Sequence, residues 1–484
     1  MTAAARTDEI PGVNLWGYLR TESGVGEHAR TLLAALDEAR VPVAPIDFPD
    51  TRSRRDHPLP FGTRDEPGFD LHLICVNADQ TPHFVERVGA ARLGGYRIGY
   101  WHWEVEEFPD LMAESADLVD EIWTASRHSA EAIRRKVSKP VHVVPPAVDP
   151  PAPTPPPDGV LPPGDGPLFL TCFDFDSVIE RKNPEGAMAA FRLAFPAGGA
   201  RLLVKSVNGH LHPERLAALA AVAADRADIR VVDRYLERDA QAGLIAACDA
   251  FLSLHRAEGF GLMLAEAIWF GRPVVATGYS GNLEFMDPQT AALVPWRPTP
   301  IPPGAGPYSG RWAEPDLEAA ADALRRRAAA SFQERAADAR AARALAEGFG
   351  VRAAGERARR ELARISAARA GEAPAPADLG DLETLAERIE RGPDPNVAAA
   401  LGSLGRLLRR LALRAHRHAG LHQREIDREL LALVRRERIA RARAESDRGA
   451  MWVAAQALAE GAVRRLLRSS PSGGRMGGQD PARG

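Results

Sequence analysis

From residue 13 to about 145, short apolar runs rich in β-branched and aromatic residues alternate with stretches that read as helix. VNLWGYL, VPVAPIDF, LHLICV, YRIGYWHW, EIWTAS and VHVVPP predict strands, and GEHARTLLAALDEA predicts the first helix. Alternation of this kind implies a parallel sheet covered by helices on both faces. Residues 150–166, PPAPTPPPDGVLPPGDG, are too rich in proline and turn formers for a helix or an interior strand, and they predict a linker. The alternation restarts with LFLTCFDF and continues through RLLVKSV, IRVVDRYL, AFLSLHR, PVVAT and AALVPW. The expected fold class is α/β: doubly wound domains at 1–149 and 167–346, facing each other across the linker at 150–166. After residue 315 no strand signal remains. A closing helix at 347–372 and an Arg/Ala-rich helical extension at 373–484, with a disordered end, complete the reading.

The length of 484 residues exceeds what one hydrophobic core supports, in keeping with two domains and an appendage. A hydrophobic fraction of 45%, a charged fraction of 26% and a net charge of −3 describe a globular chain without a nucleic-acid signature, so no nucleic-acid partner is expected. The total hides an asymmetry, because from residue 401 onward 18 arginines face only 8 acidic residues. Leu407, Leu408, Leu411 and Leu413 are interleaved with those arginines. Residues 401–468 therefore predict either a peripheral platform for anionic lipid or a partner protein, or a helical hairpin packing its leucines on itself or on another subunit. Cys75, Cys172 and Cys248 each lie in or beside an apolar run and read as buried thiols in a reducing compartment. With neither a signal-peptide pattern nor a run of ~18 apolar residues, the expected location is the cytoplasm, with any membrane contact peripheral and at the inner face.

The segment AFLSLHRAEGFGLMLAEAIWFGRPVVAT, residues 250–277, carries the strongest chemical signal. A strand runs into the loop HRAEGFG and a helix begins there. Gly259 and Gly261 flank Phe260, a pattern that brings backbone amides close to an anionic or hydroxyl-bearing ligand. Glu258 stands on the loop, and Glu266 lies inside an otherwise apolar helix. A buried carboxylate needs a partner, and either a ribose diol or a nearby arginine would serve. In the first half, Gly24 and Gly26 lie between the first strand and the first helix, as a ligand-facing turn or a plain tight one. His102 and Glu104 end a strand between Trp101 and Trp103, placed either to polarise an acceptor hydroxyl, to contact a donor sugar, or simply to pack. Only four lysines accompany 58 arginines, and two of them, Lys182 and Lys205, fall at or just beyond strand ends.

With its Glu-x7-Glu spacing from Glu258 to Glu266, the EGFG loop and GYSGNLEFM at 278–286, the chain resembles the family 4 retaining glycosyltransferases. The resemblance extends over most of residues 12–350. It implies the GT-B architecture, two Rossmann-like domains around a cleft, and a nucleotide diphosphate sugar as donor. It further implies that Glu258 contacts the transferred sugar, Glu266 holds the ribose, and the amides of Gly259, Phe260 and Gly261 face sugar and diphosphate. Gly24 and Gly26 would approach the diphosphate from the opposite wall. The family supplies an Arg and a Lys five apart to the leaving group. Here Lys182 fits the lysine, but Ser177 stands where the arginine is expected, leaving Arg181 or Lys205 to compensate.

The resulting expectation is transfer of a hexosyl group to a saccharide or lipid-linked acceptor with retention. Glu258, Lys182 and His102 are the catalytic candidates. No metal is expected, although FDFD offers the Asp-x-Asp spacing at Asp174 and Asp176. A nucleotide-sugar epimerase or phosphorylase on the same fold, and a catalytically weak saccharide-binding scaffold, are the competing readings.

Overall fold

The computed structural model describes residues 11–371 apart from Arg52, Pro60 and Gln289. The chain divides into two compact units, Met1–Ala373 and Pro374–Gly484, and every described residue belongs to the first. The expectations for residues 401–468 and for the C-terminal end lie outside the described residues.

The first sheet contains β1 (Val13–Gly17), β2 (Val43–Asp47), β3 (Leu71–Cys75), β4 (Tyr96–Trp101), β5 (Glu121–Thr124) and β6 (Val141–Val143), in the order β2-β1-β3-β4-β5-β6. All its pairings are parallel. β1 and β3 are buried along their whole length, and the two polar side chains within them are hydrogen-bonded, Asn14 to the carbonyl of Leu71 (3.0 Å) and His72 to that of Gly94 (2.7 Å), whereas Pro45 sits in β2 at the edge, where a missing N–H is tolerated.

Residues 150–166 cross to the second sheet without regular helix or strand. That sheet contains β7 (Leu168–Asp174), β8 (Arg201–Val207), β9 (Ile229–Asp233), β10 (Ala250–Ser253), β11 (Val274–Thr277) and β12 (Ala292–Val294), in the order β12-β11-β10-β7-β8-β9. It is parallel throughout, and its order is that of the dinucleotide-binding folds.

The alternation pattern does not disclose one element. β13 (Trp296–Pro300) and β14 (Arg311–Pro315) form a separate antiparallel hairpin. Pro298 and Pro300 make β13 read as a loop, which is why its strand character is hidden.

Beyond residue 315 the chain is helical, as expected: Leu317–Ala329, Phe332–Ala346 and Val351–Gly371. The last helix returns to the first half. Ala358, Leu362 and Ile365 share a core with Leu32 and Leu36 of the helix Gly24–Glu38. A Cβ at Gly355 would stand 2.0 Å from the carbonyl oxygen of Ala35, so the glycine permits the close approach. Of the three cysteines, all free, Cys75 and Cys248 are buried and Cys172 is half-buried.

Candidate active site between the two sheets

In the second sheet the strand order reverses between β7 and β10, so the loops leaving these two strands diverge and open a crevice at their carboxyl ends. The loop after β7 carries Ser177, Arg181 and Lys182, and the loop after β10 carries Glu258 to Gly261. Asn183 ties the loops together by donating to the carbonyl of Leu254 (2.8 Å), as does the Arg256 amide by donating to the carbonyl of Arg181 (2.7 Å). Val178 has φ 60°, a strained setting for a β-branched residue, at the start of the short helix Ile179–Lys182 that presents both cations.

Glu258 is buried and receives both cations. Lys182 pairs with Oε1, and Arg181 lies 3.4 Å from Oε2 while donating to the carbonyl of Ala257 (2.8 Å). Burial alone would raise the Glu258 carboxyl, but Lys182, Arg181 and His255 overcome this and hold it at about 2. Burial lowers the Lys182 ammonium, with Glu258 working against the shift. Of the two cations expected to compensate for Ser177, Arg181 joins Lys182 on Glu258 and Lys205 does not, and Ser177 ends a separate turn of 3-10 helix.

Gly259 and Gly261 keep the loop thin. A Cβ at Gly259 would lie 3.2 Å from the carbonyl of Trp103 in the first half, and Gly261 has φ 92° at the start of the helix Leu262–Trp269. The hydroxyl of Ser126, also from the first half, donates to the carbonyl of Gly259 (2.7 Å). The Phe260 ring packs on Phe285 and Phe349 in the second core, so only its backbone faces the crevice chemistry.

Glu266, 1% exposed, takes the arginine partner. Arg238 donates to its Oε1 (2.8 Å) and, across to the first half, to Oε1 of Glu27 (2.7 Å). Burial raises the Glu266 carboxyl above its ordinary value, and Arg238 offsets part of the rise. Lys205 is buried in β8 beside Cys172 and Val232 and makes no ion pair within 4 Å among the described residues. Burial lowers its ammonium. Asp174 caps its own turn and accepts from Asn208 (2.8 Å), and Asp176 pairs with His212 (2.8 Å), so both of these carboxylates are engaged locally.

In the first half, Ser23 caps the helix Gly24–Glu38 by accepting from the amide of Gly26. A Cβ at Gly26 would lie 2.4 Å from the carbonyl of Thr21, so this glycine serves its own turn, whereas Gly24 faces open space. His102 is half-buried 5.0 Å, ring to ring, from the buried His28, and the burial of its ring holds it at about 4, below its ordinary value despite Glu104. Both ring nitrogens of His28 and Nε2 of His102 lack hydrogen-bond partners, so this neutral pair presents unsatisfied polar atoms.

Arg238, Glu27, His28 and Tyr308, whose hydroxyl donates to Glu104 (2.9 Å), are missed by motif reading. The only signal for Arg238 is a cation at a helix start, where the dipole disfavours it. Tyr308 is the lone aromatic of a Pro/Gly-rich run.

Two Rossmann-like sheets with a cation-carboxylate cluster at the switch point of the second define a GT-B glycosyltransferase. The chain is similar in structure to the sucrose-phosphate synthase of Thermosynechococcus elongatus, with 17% identity, a TM-score of 0.53, and coverage of 74% of this chain and 100% of that one. Anabaena HepE in complex with UDP and glucose is similar at 14% identity and a TM-score of 0.51, over 73% of this chain and 100% of that one. No curated protein matches the sequence. Residues 106–362, just over half of the chain, match the model of the family 4 glycosyltransferases in conflict systems, and the chain belongs to that family.

Proposed function

We propose that the chain transfers a hexosyl group, with retention, from a nucleotide diphosphate sugar to a hydroxyl of a saccharide or lipid-linked acceptor. The observation that carries the reading is the pairing of Glu258 with Lys182 and Arg181 at the switch point. When the donor is seated, its sugar hydroxyls take Glu258 and its diphosphate takes the released ammonium of Lys182. The bond from the anomeric carbon to the diphosphate breaks, and Lys182, Arg181 and the loop amides stabilise the charge left on the departing nucleoside diphosphate. The acceptor oxygen forms the new bond on the face the diphosphate leaves, and its proton passes to the departing phosphate. Glu266 exchanges Arg238 for the two ribose hydroxyls, and His102 offers Nε2 to a sugar hydroxyl. These cations supply the electrostatics without a metal.

HepE is described with UDP and glucose, which makes UDP-glucose the first donor to test, with GDP-mannose beside it. The experiment measures release of nucleoside diphosphate by the parent and by Glu258→Gln. The reading expects release by the parent and a loss of about a hundredfold in the variant. Equal release by both would remove Glu258 from the chemistry. No helix among the described residues is long and apolar enough to cross a membrane.

A further inference from the structure

The hairpin β13–β14 is an excursion from the second sheet that ends on the first half. A two-stranded hairpin is marginal alone, and this one is anchored at its base. Arg256, two residues before Glu258, grips Glu314 with two hydrogen bonds (2.6 and 3.0 Å), accepts the Ala313 amide on its carbonyl (3.0 Å) and stands over the Trp312 ring. At the tip, a Cβ at Gly306 would meet Val178 at 2.6 Å and one at Gly310 would meet Glu107 at 2.7 Å, so the loop is pressed between the two halves. Both glycines have positive φ.

Tyr308 lies at this tip. Its ring packs tilted against Trp103 (5.2 Å) and beneath the guanidinium of Arg181 (5.9 Å), and its hydroxyl donates to Oε2 of Glu104 (2.9 Å). Burial keeps the phenol protonated, and hence a donor, with Arg181 opposing the shift and Glu104 adding to it. Oε1 of Glu104 lies 3.8 Å from Arg181, which contacts Glu258. A chain of polar contacts thus runs from Tyr308 through Glu104 and Arg181 to Glu258 and Lys182. The Glu104 side chain is one-fifth exposed, against one-tenth for Glu258, and it comes from the opposite wall of the cleft.

We propose that Tyr308 is a positioning residue: it fixes one carboxylate oxygen of Glu104 so that the remaining lone pairs receive the hydroxyl of the acceptor. The inference rests on the glycosyl-transfer reading and adds a specific group on the acceptor side. In the absence of acceptor, water occupies the same place, and donor hydrolysis reports on it. The water oxygen then bonds the anomeric carbon and the products are free hexose and nucleoside diphosphate.

The test uses the full chain with UDP-glucose and GDP-mannose, comparing the parent, Tyr308→Phe, Glu104→Gln and the double variant. Tyr308→Phe removes only the hydroxyl and should lower kcat about tenfold, the worth of one hydrogen bond to a charged group, with the donor KM unchanged. In the Glu104→Gln background the same change should have no further effect. Parental kcat in Tyr308→Phe, an effect confined to donor KM, or an undiminished loss in the Glu104→Gln background would each overturn the inference while leaving glycosyl transfer intact. A parent that turns over neither donor would instead count against the transfer reading itself, and the Tyr308 inference would fall with it.

Discussion

The guanidinium of Arg238 lies 2.8 Å from the carboxylate of Glu266, and the same nitrogen lies 2.7 Å from Glu27 on the facing half. One side chain therefore joins the helix after β10 to the first turn of the helix after β1, at the carboxylate proposed to hold the ribose. On the proposed function, two ribose hydroxyls would take over this contact, which makes nucleotide binding and release of the Arg238 bridge one exchange.

Arg238→Ala should destabilise the fold by about 2 kcal/mol, because it leaves the buried Glu266 carboxyl without its cation. The figure lies below that for a fully buried pair because the Arg238 side chain is 29% exposed. Urea denaturation of parent and variant measures it, and a difference within about 0.5 kcal/mol would place Arg238 among ordinary surface residues.

Lys182 is a half-buried cation and Lys205 a buried one, and substitution should separate them. Lys182→Ala leaves Glu258 with Arg181 and should cost about a hundredfold in turnover, as one stabiliser of the leaving group is lost. Lys205→Met removes a buried ammonium that has no ion-pair partner among the described residues, so the thermal midpoint should rise. If Lys205 also serves the diphosphate, donor affinity falls in the same variant. A raised midpoint with parental affinity would make it a structural lysine.

The sheets were legible because a parallel strand buried on both faces writes a mostly apolar run, and β1, β3 and β7 do so with one or two polar positions each. The Glu258 loop was legible because strand, glycine pair and helix are contiguous. What stayed hidden is non-local: Glu27 and Arg238 are 211 residues apart, and Glu104 and Tyr308 are 204 apart. Periodicity carries no information about such pairs. The arginine expected at 177 was sought by spacing, whereas Arg181 reaches Glu258 from beside Lys182 because Val178 turns the chain into a four-residue helix. The Phe260 ring, which motif reading left unassigned, supplies the core contact that fixes the loop.

The last described helix makes a claim that needs no ligand. Arg364 donates to both oxygens of Glu121 (2.9 and 2.7 Å), a fully buried carboxylate that also accepts from Tyr96 (3.0 Å) and Trp123 (2.7 Å). Arg364→Ala removes its charged partner and should cost about 2 kcal/mol, since the two neutral donors remain. Arg369, exposed over the Tyr96 ring, should cost about 0.5 kcal/mol on the same change. Equal effects in urea unfolding would mean that the helix is held by its apolar face alone.

Acid should act on the fold through Glu258. Its carboxyl is lowered from 4.5 to about 2 on folding, so the folded state binds its proton less tightly than the unfolded chain. The stability this provides is fully present above pH 4.5 and is lost as pH falls through about 2. A shift of this size corresponds to about 3 kcal/mol. Glu266 acts in the opposite sense: its raised carboxyl removes stability as pH rises above 4.5. Glu258→Gln should therefore lie below the parent in urea midpoint at pH 6, with the gap closing as the pH approaches 2. Glu266→Gln should gain on its parent over the interval where Glu266 ionises. Parallel midpoint curves for parent and Glu258→Gln from pH 6 to 2 would show that the Lys182 and Arg181 contacts do not hold the carboxylate charged in solution.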